Sequence, residues 1–553
     1  MIIPSAAALL LAGAASGFSP RSLWEAWPAR RFVPTPAPCL RHAELVERLR
    51  SLEVRCRGRL ALEEVGRSVQ GRSIHLVTLG SGPRRILLWS QMHGDEPSAT
   101  PALLDLADTL LASDQPEHRA ILEGATLLMV PMLNPDGAER YARRNAQAVD
   151  INRDALHLST PEGRVLKAVR DRFRPEIGFN LHDQNRRTTV GDTGVLATIS
   201  LLAVSGDRKG TVTPGRARAK RVCSSIARTL EPFVPGGIGR YDEDWNPRAF
   251  GDNVTAWGTP VVLIESGGVP PGRPLTDLTR LNYVALLSVL HGLVRDDLAT
   301  ETPDLYENLK RNDDGYWTDV LLAGGRVWQP WAGEPYRADV AFDVLDDDPL
   351  AVSCAEPGWP GASRIREVGD GRLLGSARRI DVAGRLVAPA FAASVRGLAA
   401  RSWLTAETLA DAGRLGVARL RWHVAAADRP EALAHAEGLT APGKPPLEVV
   451  DAGAPASLLE VASPPAVPSS PTVESALDAL THGTWRARAA GRSLGELLGE
   501  LAGAGPPAGE PLIAPDTRAS LVVLRPREEG VLASTSVDLE AVFIDGREPG
   551  ARR

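Results

Sequence analysis

The feature that most constrains the fold is a regular alternation of short apolar runs with longer helical segments between residues 41 and 298. The apolar runs are rich in β-forming residues and bounded by Gly and Pro, as buried strands are. Such alternation predicts an α/β domain in which a largely parallel sheet carries helices on both faces. Strands are expected at 74–79, 84–92, 126–132, 177–182 and 261–265, and helices at 42–50, 99–112, 161–173, 216–230 and 275–294.

Polar side chains stand at or just after the carboxyl ends of these predicted strands. Ligands bind at this edge of open α/β sheets, so the residues there are the first candidates for a site. His93 and Glu96 follow one strand and can reach one cation from a single turn, while His182 and Glu265 end two others. The strand at 126–132 is followed by Asn134-Pro135-Asp136-Gly137 and then by Arg143, Asp150, Asn152 and Arg153.

Each of these residues has an ordinary structural explanation when it is taken alone. A His-x-x-Glu pair often arises by chance, and a histidine flanked by apolar residues is usually part of the core. The joint arrangement is more informative, because two imidazoles, two carboxylates and an Arg/Asn cluster fall at one edge of one predicted sheet. Burying Glu265 at the end of an apolar strand is also costly without a functional reason. The pattern therefore predicts a metal-dependent hydrolase.

The order of these motifs resembles the zinc metallocarboxypeptidase family, of the carboxypeptidase A-like type. The matching text is His-x-x-Glu, Asn-Pro-Asp-Gly, Arg-x-Asn leading to Asp-x-Asn-Arg, then a strand-terminal His and a strand-terminal Glu. The resemblance covers about residues 40–297 and includes the stretch 66–72 before the first metal strand. It implies a mixed, largely parallel sheet with helices on both faces, one Zn²⁺ per chain and a substrate with a free carboxylate.

Carried over position by position, the resemblance implies a role for each motif residue. His93, Glu96 and His182 would bind zinc and leave its fourth position open for water, as catalytic zinc requires. Asp150 would hold the second ring nitrogen of His93. The other implied roles are general base for Glu265, oxyanion stabilisation for Arg143, and binding of the substrate's terminal carboxylate for Asn152 and Arg153.

The sequence departs from the family pattern near two of these motifs. Asp154-Ala155 follows Arg153 where the family has Asn and an aromatic residue, and Asp183-Gln184 follows the third ligand in place of a small residue and a tyrosine. The spacing from Glu96 to His182 (182 − 96 = 86) is short for digestive members of the family, which suggests trimmed loops and a more open cleft. These departures bear on substrate identity more than on zinc chemistry.

Tyr241 is a further candidate for the catalytic set. It lies 24 residues before Glu265 (265 − 241 = 24), roughly where the family has a mobile tyrosine that closes over the substrate. The acidic residues that follow it fit a solvated surface loop. The alternative is that residues 242–244, with Arg248 and Asp252, line a specificity pocket for a polar or basic group.

From about residue 319 the sequence changes to short strands separated by turn residues. The segment 319–391 resembles the opening of the amidohydrolase β-sandwich, and residues 518–526 and 539–549 resemble the strands that complete it. No histidine pair follows Pro389, where active amidohydrolases have their metal ligands, and residues 392–510 are too few for a complete barrel. We expect residues 319–553 to form a non-catalytic β-rich domain with a helical insert and a Pro-rich segment at 441–471.

The ends and junctions of these domains carry weaker signals. Residues 1–40 are expected to hold a possible signal segment and lead-in, and 299–318 a linker. The apolar stretch 2–17 resembles a signal h-region without a preceding basic residue, which slightly favours export, to the periplasm or outside the cell, over a cytoplasmic location. Four scattered cysteines indicate neither a disulfide framework nor a zinc ribbon, so buried free thiols are expected.

Composition restricts the possible partners. A formal net charge of −5 provides no excess of basic residues for nucleic acid. No apolar run after the first residues reaches the roughly 20 residues that span a bilayer, so an integral membrane protein is not expected.

Three functions remain open at this point. The leading interpretation is a zinc metallocarboxypeptidase that releases the C-terminal residue of a peptide. The first alternative is a zinc-dependent N-acyl amino-acid deacylase or amidase on the same scaffold. The second is a binding protein that retains the zinc site without catalysis, which the presence of Glu265 and Arg143 argues against, since binding alone needs neither.

Overall fold

The chain divides into two compact units, Met1–Trp317 and Thr318–Arg553. The computed structural model describes residues 18–56, 58–242, 244–327, 335–344, 363–383, 386–389, 419–424, 447–451, 459–462, 485–488, 521–526 and 536–543. The apolar stretch 2–17, on which the expectation of export rests, lies outside the described residues.

A mixed eight-stranded sheet forms the centre of the first unit. The strands described in this unit are β1 (Leu60–Arg67), β2 (Ser73–Leu79), β3 (Arg84–Ser90), β4 (Ala125–Val130), β5 (Ile177–Asp183), β6 (Thr189–Val190), β7 (Ile199–Ala203), β8 (Ile238–Arg240), β9 (Val261–Ser266) and β10 (Asn312–Asp313). The sheet order is β1-β2-β4-β3-β5-β9-β7-β8, and β10 pairs separately with β6. The central strands β4, β3, β5 and β9 are parallel, whereas β1, β2 and β7 make antiparallel pairs.

Helices cover both faces of this sheet. They are α1 (Pro20–Arg30), α2 (His42–Arg55), α3 (Ala99–Ala112), α4 (Pro116–Gly124), α5 (Pro135–Arg140), α6 (Pro161–Phe173), α7 (Pro214–Leu230), α8 (Phe250–Ala256), α9 (Thr276–Val294) and α10 (Asp304–Glu307). Residues of α2, α3, α4, α7 and α9 pack with Phe179 and Ile264 on one face. Residues of α6 and α8 pack with Trp89 and Leu263 on the other. The predicted α/β fold class is confirmed. No helix among the described residues has the length and apolar character to cross a bilayer.

The segment 299–318, for which the sequence indicated a linker, contributes structure to the first unit. It contains α10 and β10, and Tyr306 within it is fully buried. Tyr306 N donates to Ser224 Oγ at 3.1 Å, and its hydroxyl accepts from Ala203 N at 3.2 Å. These contacts attach the segment to α7 and β7.

Strands account for the described part of the second unit. They are β11 (Trp317–Val327, beginning at the unit boundary), β12 (Tyr336–Val344), β13 (Ser363–Gly369), β14 (Gly375–Asp381), β15 (Leu386–Pro389), β16 (Arg419–Val424), β17 (Leu447–Asp451), β18 (Leu459–Ala462), β19 (Trp485–Arg488), β20 (Leu521–Pro526) and β21 (Ser536–Phe543). One sheet has the order β13-β12-β11-β15-β20-β21-β19 with β14 paired to β11, and β17-β16-β18 form another. The expected β-rich character is confirmed.

The helical insert expected in this unit is not seen in the described residues. Between 392 and 510 they form strands β16, β17, β18 and β19, and β17 and β18 lie inside the Pro-rich segment 441–471. The rest of that stretch lies outside the described residues.

The expectation of free thiols is wrong for one cysteine. Cys39 is disulfide-bonded, whereas Cys56 has a free thiol. Scattered spacing does not reveal which cysteines approach one another in the fold, so the sequence pattern could not show this pairing. Cys354 lies outside the described residues.

A buried carboxylate holds the N-terminal helix region against α3. Asp105 is 0% exposed and accepts hydrogen bonds from Trp27 Nε1 at 2.9 Å, Phe32 N at 2.8 Å and Val33 N at 3.1 Å. Burial raises the pKa of Asp105 to about 6, although these three hydrogen bonds act in the opposite direction. The folded protein therefore binds a proton at this site more tightly than the unfolded chain does.

We predict that Asp105→Asn removes a pH-dependent contribution to stability. The folded-state pKa lies above the ordinary 3.8, so the wild type loses stability as pH rises from about 4 to about 6. Relative to the variant, the loss should reach roughly 3 kcal/mol across this range. Urea unfolding of both proteins at several pH values would measure it, and a constant difference would contradict the prediction.

Candidate metal centre and active-site cavity

The turn after β3 presents two of the predicted ligands. Directly after the strand, Gln91 adopts a left-handed conformation (φ 51°), which is unfavourable for a residue with a side chain. Its side chain donates to Gly94 O at 3.1 Å and accepts from Thr100 Oγ1 at 3.0 Å, which fixes this conformation. His93 and Glu96 are consequently both buried within the same turn.

The Asn-Pro-Asp-Gly turn packs closely, backbone against backbone, on the turn that carries His93 and Glu96. Gly94 N donates to Ala142 O at 3.0 Å. A Cβ atom on Gly94 would lie 2.0 Å from Gly137 C, so a side chain at this position would prevent the approach. Asn134 caps α5 by accepting from Gly137 N at 2.9 Å. The two motifs therefore form one unit, which places the loop 143–153 beside the ligands.

The third predicted ligand reaches the same point from β5. His182 Nδ1 lies 2.5 Å from Glu96 Oε2, and His93 Nδ1 lies 2.7 Å from Glu96 Oε1. One ligand-type atom from each residue lies within 4.8 Å of the other two. In the part of the chain that the structure describes, no other group of three His, Cys, Asp or Glu side chains has this geometry.

Burial makes the protonation states of these three side chains interdependent. Burial alone would raise the pKa of Glu96, but His182 and His93 hold it well below its ordinary value. For His182, burial outweighs the attraction of Glu96 and lowers the pKa. For His93, burial also acts to lower the pKa, but Glu96 and Asp150 outweigh it and raise the value to about 8.

This donor set suits zinc. Two imidazole nitrogens and a carboxylate form the protein ligands of many catalytic zinc sites, in which water takes the fourth position. An ionised carboxylate that is shielded from water also favours a bound cation. Asp150 Oδ1 lies 3.0 Å from His93 Nε2, which fixes the ring so that Nδ1 faces Glu96. The residues present therefore fit a zinc ion bound by His93, Glu96 and His182.

Arg143 connects the loop 143–153 to the ligands. Its Nε donates to Asp150 Oδ2 at 3.1 Å, and its Nη1 donates to Glu96 Oε1 at 3.1 Å. The same Nη1 lies 3.1 Å from His93 Nδ1. The side chain is 42% exposed, so its guanidinium group also faces the cavity. The residue expected to stabilise an oxyanion thus lies at the point where the ligand atoms converge.

Glu265 is a second buried carboxylate in the cavity. It is 7% exposed and lies opposite His182 in the parallel pairing of β5 and β9. Burial raises its pKa well above the ordinary value, and the charges of Glu96 and Asp183 add to this effect. Such a group takes up and releases protons closer to neutral pH than an ordinary carboxyl group does, as a general base requires.

The predicted site residues line or adjoin a single cavity of about 800 Å³. Asp150 lies behind His93, and the other eight line the cavity: His93, Glu96, Arg143, Asn152, Arg153, His182, Tyr241 and Glu265. Asn152 Oδ1 accepts from Phe250 N at 2.8 Å, which attaches the 143–153 loop to α8. Arg153 Nη1 donates to Asn152 O at 2.8 Å.

Tyr241 lines the same cavity as Glu265. The charge of Glu265, followed by burial, raises the pKa of Tyr241 above its ordinary value, so the phenol remains protonated and can donate a hydrogen bond. The sequence left open whether the acidic residues after Tyr241 form an exposed loop or line a pocket. Asp242 and Asp244 do both, because they are exposed and also line the cavity. Arg248 and Asp252 line it as well.

Several cavity residues were not identified from the sequence. Asn312, Asp313 and Asp314 line the cavity although they belong to the expected linker. Asn312 Nδ2 donates to Gln184 Oε1 at 3.0 Å, so this segment contacts the residues after the third ligand. No sequence motif marks it. Asn180 also lines the cavity, and the two-residue period of a strand, which places it on the face of His182, could have identified it.

Comparison with known proteins supports the resemblance. Residues 45–176 match the family described as zinc carboxypeptidase. The probable carboxypeptidase 2 of Trichophyton verrucosum is 33% identical over 110 residues, which is 20% of this chain and 21% of that protein. Carboxypeptidase SOL1 of Arabidopsis thaliana is 31% identical over 157 residues, 25% of this chain and 32% of that protein. A metallo-carboxypeptidase structure from Burkholderia cenocepacia covers 45% of this chain and 69% of its own, at 18% identity and a TM-score of 0.38.

The family match and the two curated relatives confirm the family resemblance over part of the first unit. The chain spans about a fifth of the length of the first of these curated relatives. The matched range 45–176 includes His93, Glu96 and the 143–153 loop, but His182 and Glu265 lie beyond it. Their connection to the site rests on the geometry of β5 and β9.

We predict that Asp150→Ala weakens zinc binding by about 10- to 100-fold, because His93 then loses the partner that fixes its ring. Competition with a chromogenic chelator would measure the affinity. Asp192→Ala is a matched control, since that carboxylate is 66% exposed and pairs with Lys310 at the surface. Equal affinity of the wild type and Asp150→Ala would contradict the prediction.

Proposed function

We propose that the first unit is a zinc-dependent metallocarboxypeptidase that hydrolyses the C-terminal peptide bond of a peptide. The observation that carries this proposal is the meeting of three chemical groups in one cavity. A ligand set suited to zinc, the buried carboxylate of Glu265 and the Asn152–Arg153 pair all line it. Together they supply what hydrolysis beside a free carboxylate requires.

Asn152 and Arg153 are suited to hold the substrate's terminal carboxylate. A guanidinium group offers parallel N–H donors that match the two carboxylate oxygens, which an ammonium group does not. Both residues belong to a short helical turn, Ile151–Arg153, whose cap Asp150 accepts from Asn152 N at 2.9 Å. Asp150 also contacts His93, so the carboxylate site and the ligand site have a fixed spacing. This spacing selects the bond nearest the carboxyl end of a peptide.

The cavity residues divide the remaining chemistry among themselves. Zinc bound by His93, Glu96 and His182 supplies carbonyl polarisation and a water of lowered pKa. Glu265 accepts the proton of the attacking water and returns it to the leaving amine. Arg143 stabilises the negative charge that develops on the carbonyl oxygen.

We predict that Glu265→Gln lowers kcat by about 100- to 10,000-fold, because the amide cannot accept the proton from water. Zinc content should not change, since Glu265 is not among the ligands. The control is Glu25→Gln, which alters an exposed glutamate paired with Arg21 at the surface. Full activity in the zinc-loaded Glu265→Gln variant would contradict the assigned role.

Three substrates test the peptidase proposal itself. The zinc-loaded protein is incubated with an N-blocked tripeptide, with the same peptide amidated at its C-terminus, and with the matching N-acyl amino acid. We expect release of the C-terminal residue from the free acid and none from the amide, because Arg153 needs a carboxylate to bind. Hydrolysis of the N-acyl amino acid alone would replace the proposal with a deacylase. If none of the three substrates is hydrolysed, the remaining interpretation is a binding protein that retains the zinc site without catalysis.

A further inference from the structure

The carboxylate of Glu265 has no hydrogen-bond donor among the described residues, although the side chain is only 7% exposed. Buried polar groups nearly always have a partner, and hydrogen bonds hold a carboxylate in one orientation. A general base needs a fixed orientation, because it must lie within reach of the proton that it takes from water. A donor beside Glu265 would therefore serve the proposed reaction.

Ser200 lies opposite Glu265 in the antiparallel pairing of β7 and β9. Opposed residues of such a pair project from the same face of the sheet, with their Cβ atoms about 4.5–5.5 Å apart. Ser200 is 0% exposed, and Leu202, two residues further along the same face of β7, lines the cavity. The Ser200 hydroxyl is thus a donor within reach of the Glu265 carboxylate.

The side chain of Gln184 orients this hydroxyl. Gln184 Nε2 donates to Ser200 Oγ at 3.0 Å, which occupies a lone pair and directs the O–H of Ser200 away from the amide. The same Nε2 donates to Ala197 O at 2.8 Å, and the backbone N of Gln184 donates to Ser266 O at 2.7 Å. Gln184 is therefore fixed to the residue that directly follows Glu265.

The segment 299–318 adds a further donor to this arrangement. Asn312 Nδ2 donates to Gln184 Oε1 at 3.0 Å, and Asn312 itself is held by the pairing of β10 with β6. The donors point one way, from Asn312 to Gln184 to Ser200, so each bond polarises the next. Gln184 stands where the zinc carboxypeptidase family has a tyrosine, whose single O–H could not make both donations of the amide.

We propose that Ser200, Gln184 and Asn312 are positioning residues for Glu265. The Ser200 hydroxyl donates a hydrogen bond to the carboxylate and keeps its own proton, so it fixes the orientation in which Glu265 accepts the proton of the attacking water. Gln184 and Asn312 act through Ser200. This inference rests on the role proposed for Glu265, and it makes the segment 299–318 a supporting part of the active site.

A double-mutant cycle on zinc-loaded protein, with an N-blocked tripeptide as substrate, tests the inference. We expect Ser200→Ala to lower kcat by about 10- to 100-fold, as loss of a hydrogen bond to a charged group does, with KM and zinc affinity unchanged. Asn312→Leu should lower kcat by about 3- to 10-fold in the wild type, because Gln184 is then free to turn away from Ser200. In the Ser200→Ala background it should have no further effect.

Gln184→Met provides a second variant in case Ser200→Ala does not fold. It removes the donor to Ser200 at similar side-chain size, and it should also lower kcat by about 10-fold with zinc affinity unchanged. Wild-type kcat in zinc-loaded Gln184→Met would overturn the inference.

The matched control is Asn308→Leu. Asn308 is an exposed asparagine of the same segment whose amide donates to Asp304 O at 2.8 Å, so its loss should leave kcat unchanged. Equal effects of Asn312→Leu in the two backgrounds, or a change in KM alone, would overturn the inference and leave the proposed function intact. Full activity in zinc-loaded Glu265→Gln, or no hydrolysis by the wild type, would overturn the proposed function and the inference with it.

Discussion

The site depends on one buried carboxylate held between two imidazoles. Glu96 contacts His93 through one oxygen and His182 through the other, and all three side chains are shielded from water. A buried charge is stable only when opposite charge or good donors surround it. β3 and β5 must therefore be placed so that both imidazole rings contact Glu96. Asp150 then contacts His93, and Arg143 contacts Glu96, so these two residues connect the ligands to the rest of the site.

The parallel centre of the sheet brings these residues together. β3, β5 and β9 are adjacent and parallel, so the turn after β3, the last residues of β5 and Glu265 meet at one edge. Local backbone details then complete the arrangement. Gln91 turns the chain after β3, and Gly94 permits contact with the Asn-Pro-Asp-Gly turn. Without that contact the loop carrying Arg153 would have no fixed distance from the ligands.

The parallel strands β3, β4, β5 and β9 and the residues at their ends could be predicted from the sequence, because buried parallel strands are continuous apolar runs and a polar or charged residue after them is conspicuous. β1 could not, since it is an exposed edge strand with charged residues such as Glu63 and Glu64, and β8 is only three residues long. Asn312 could not be predicted as a cavity residue, because its position there depends on the pairing of β10 with β6, and no local sequence pattern encodes that contact. The disulfide bond of Cys39 could not be predicted either, because it also depends on a contact that no local sequence pattern encodes.

A crystal structure of the zinc-loaded protein, with diffraction data collected on both sides of the zinc absorption edge, would decide whether the metal is where the ligand geometry places it. The proposal predicts one anomalous peak per chain in the first unit, at about 2.0–2.2 Å from His93 Nδ1, Glu96 and His182 Nδ1. Zinc at full occupancy elsewhere, with no peak at these three residues, would contradict it.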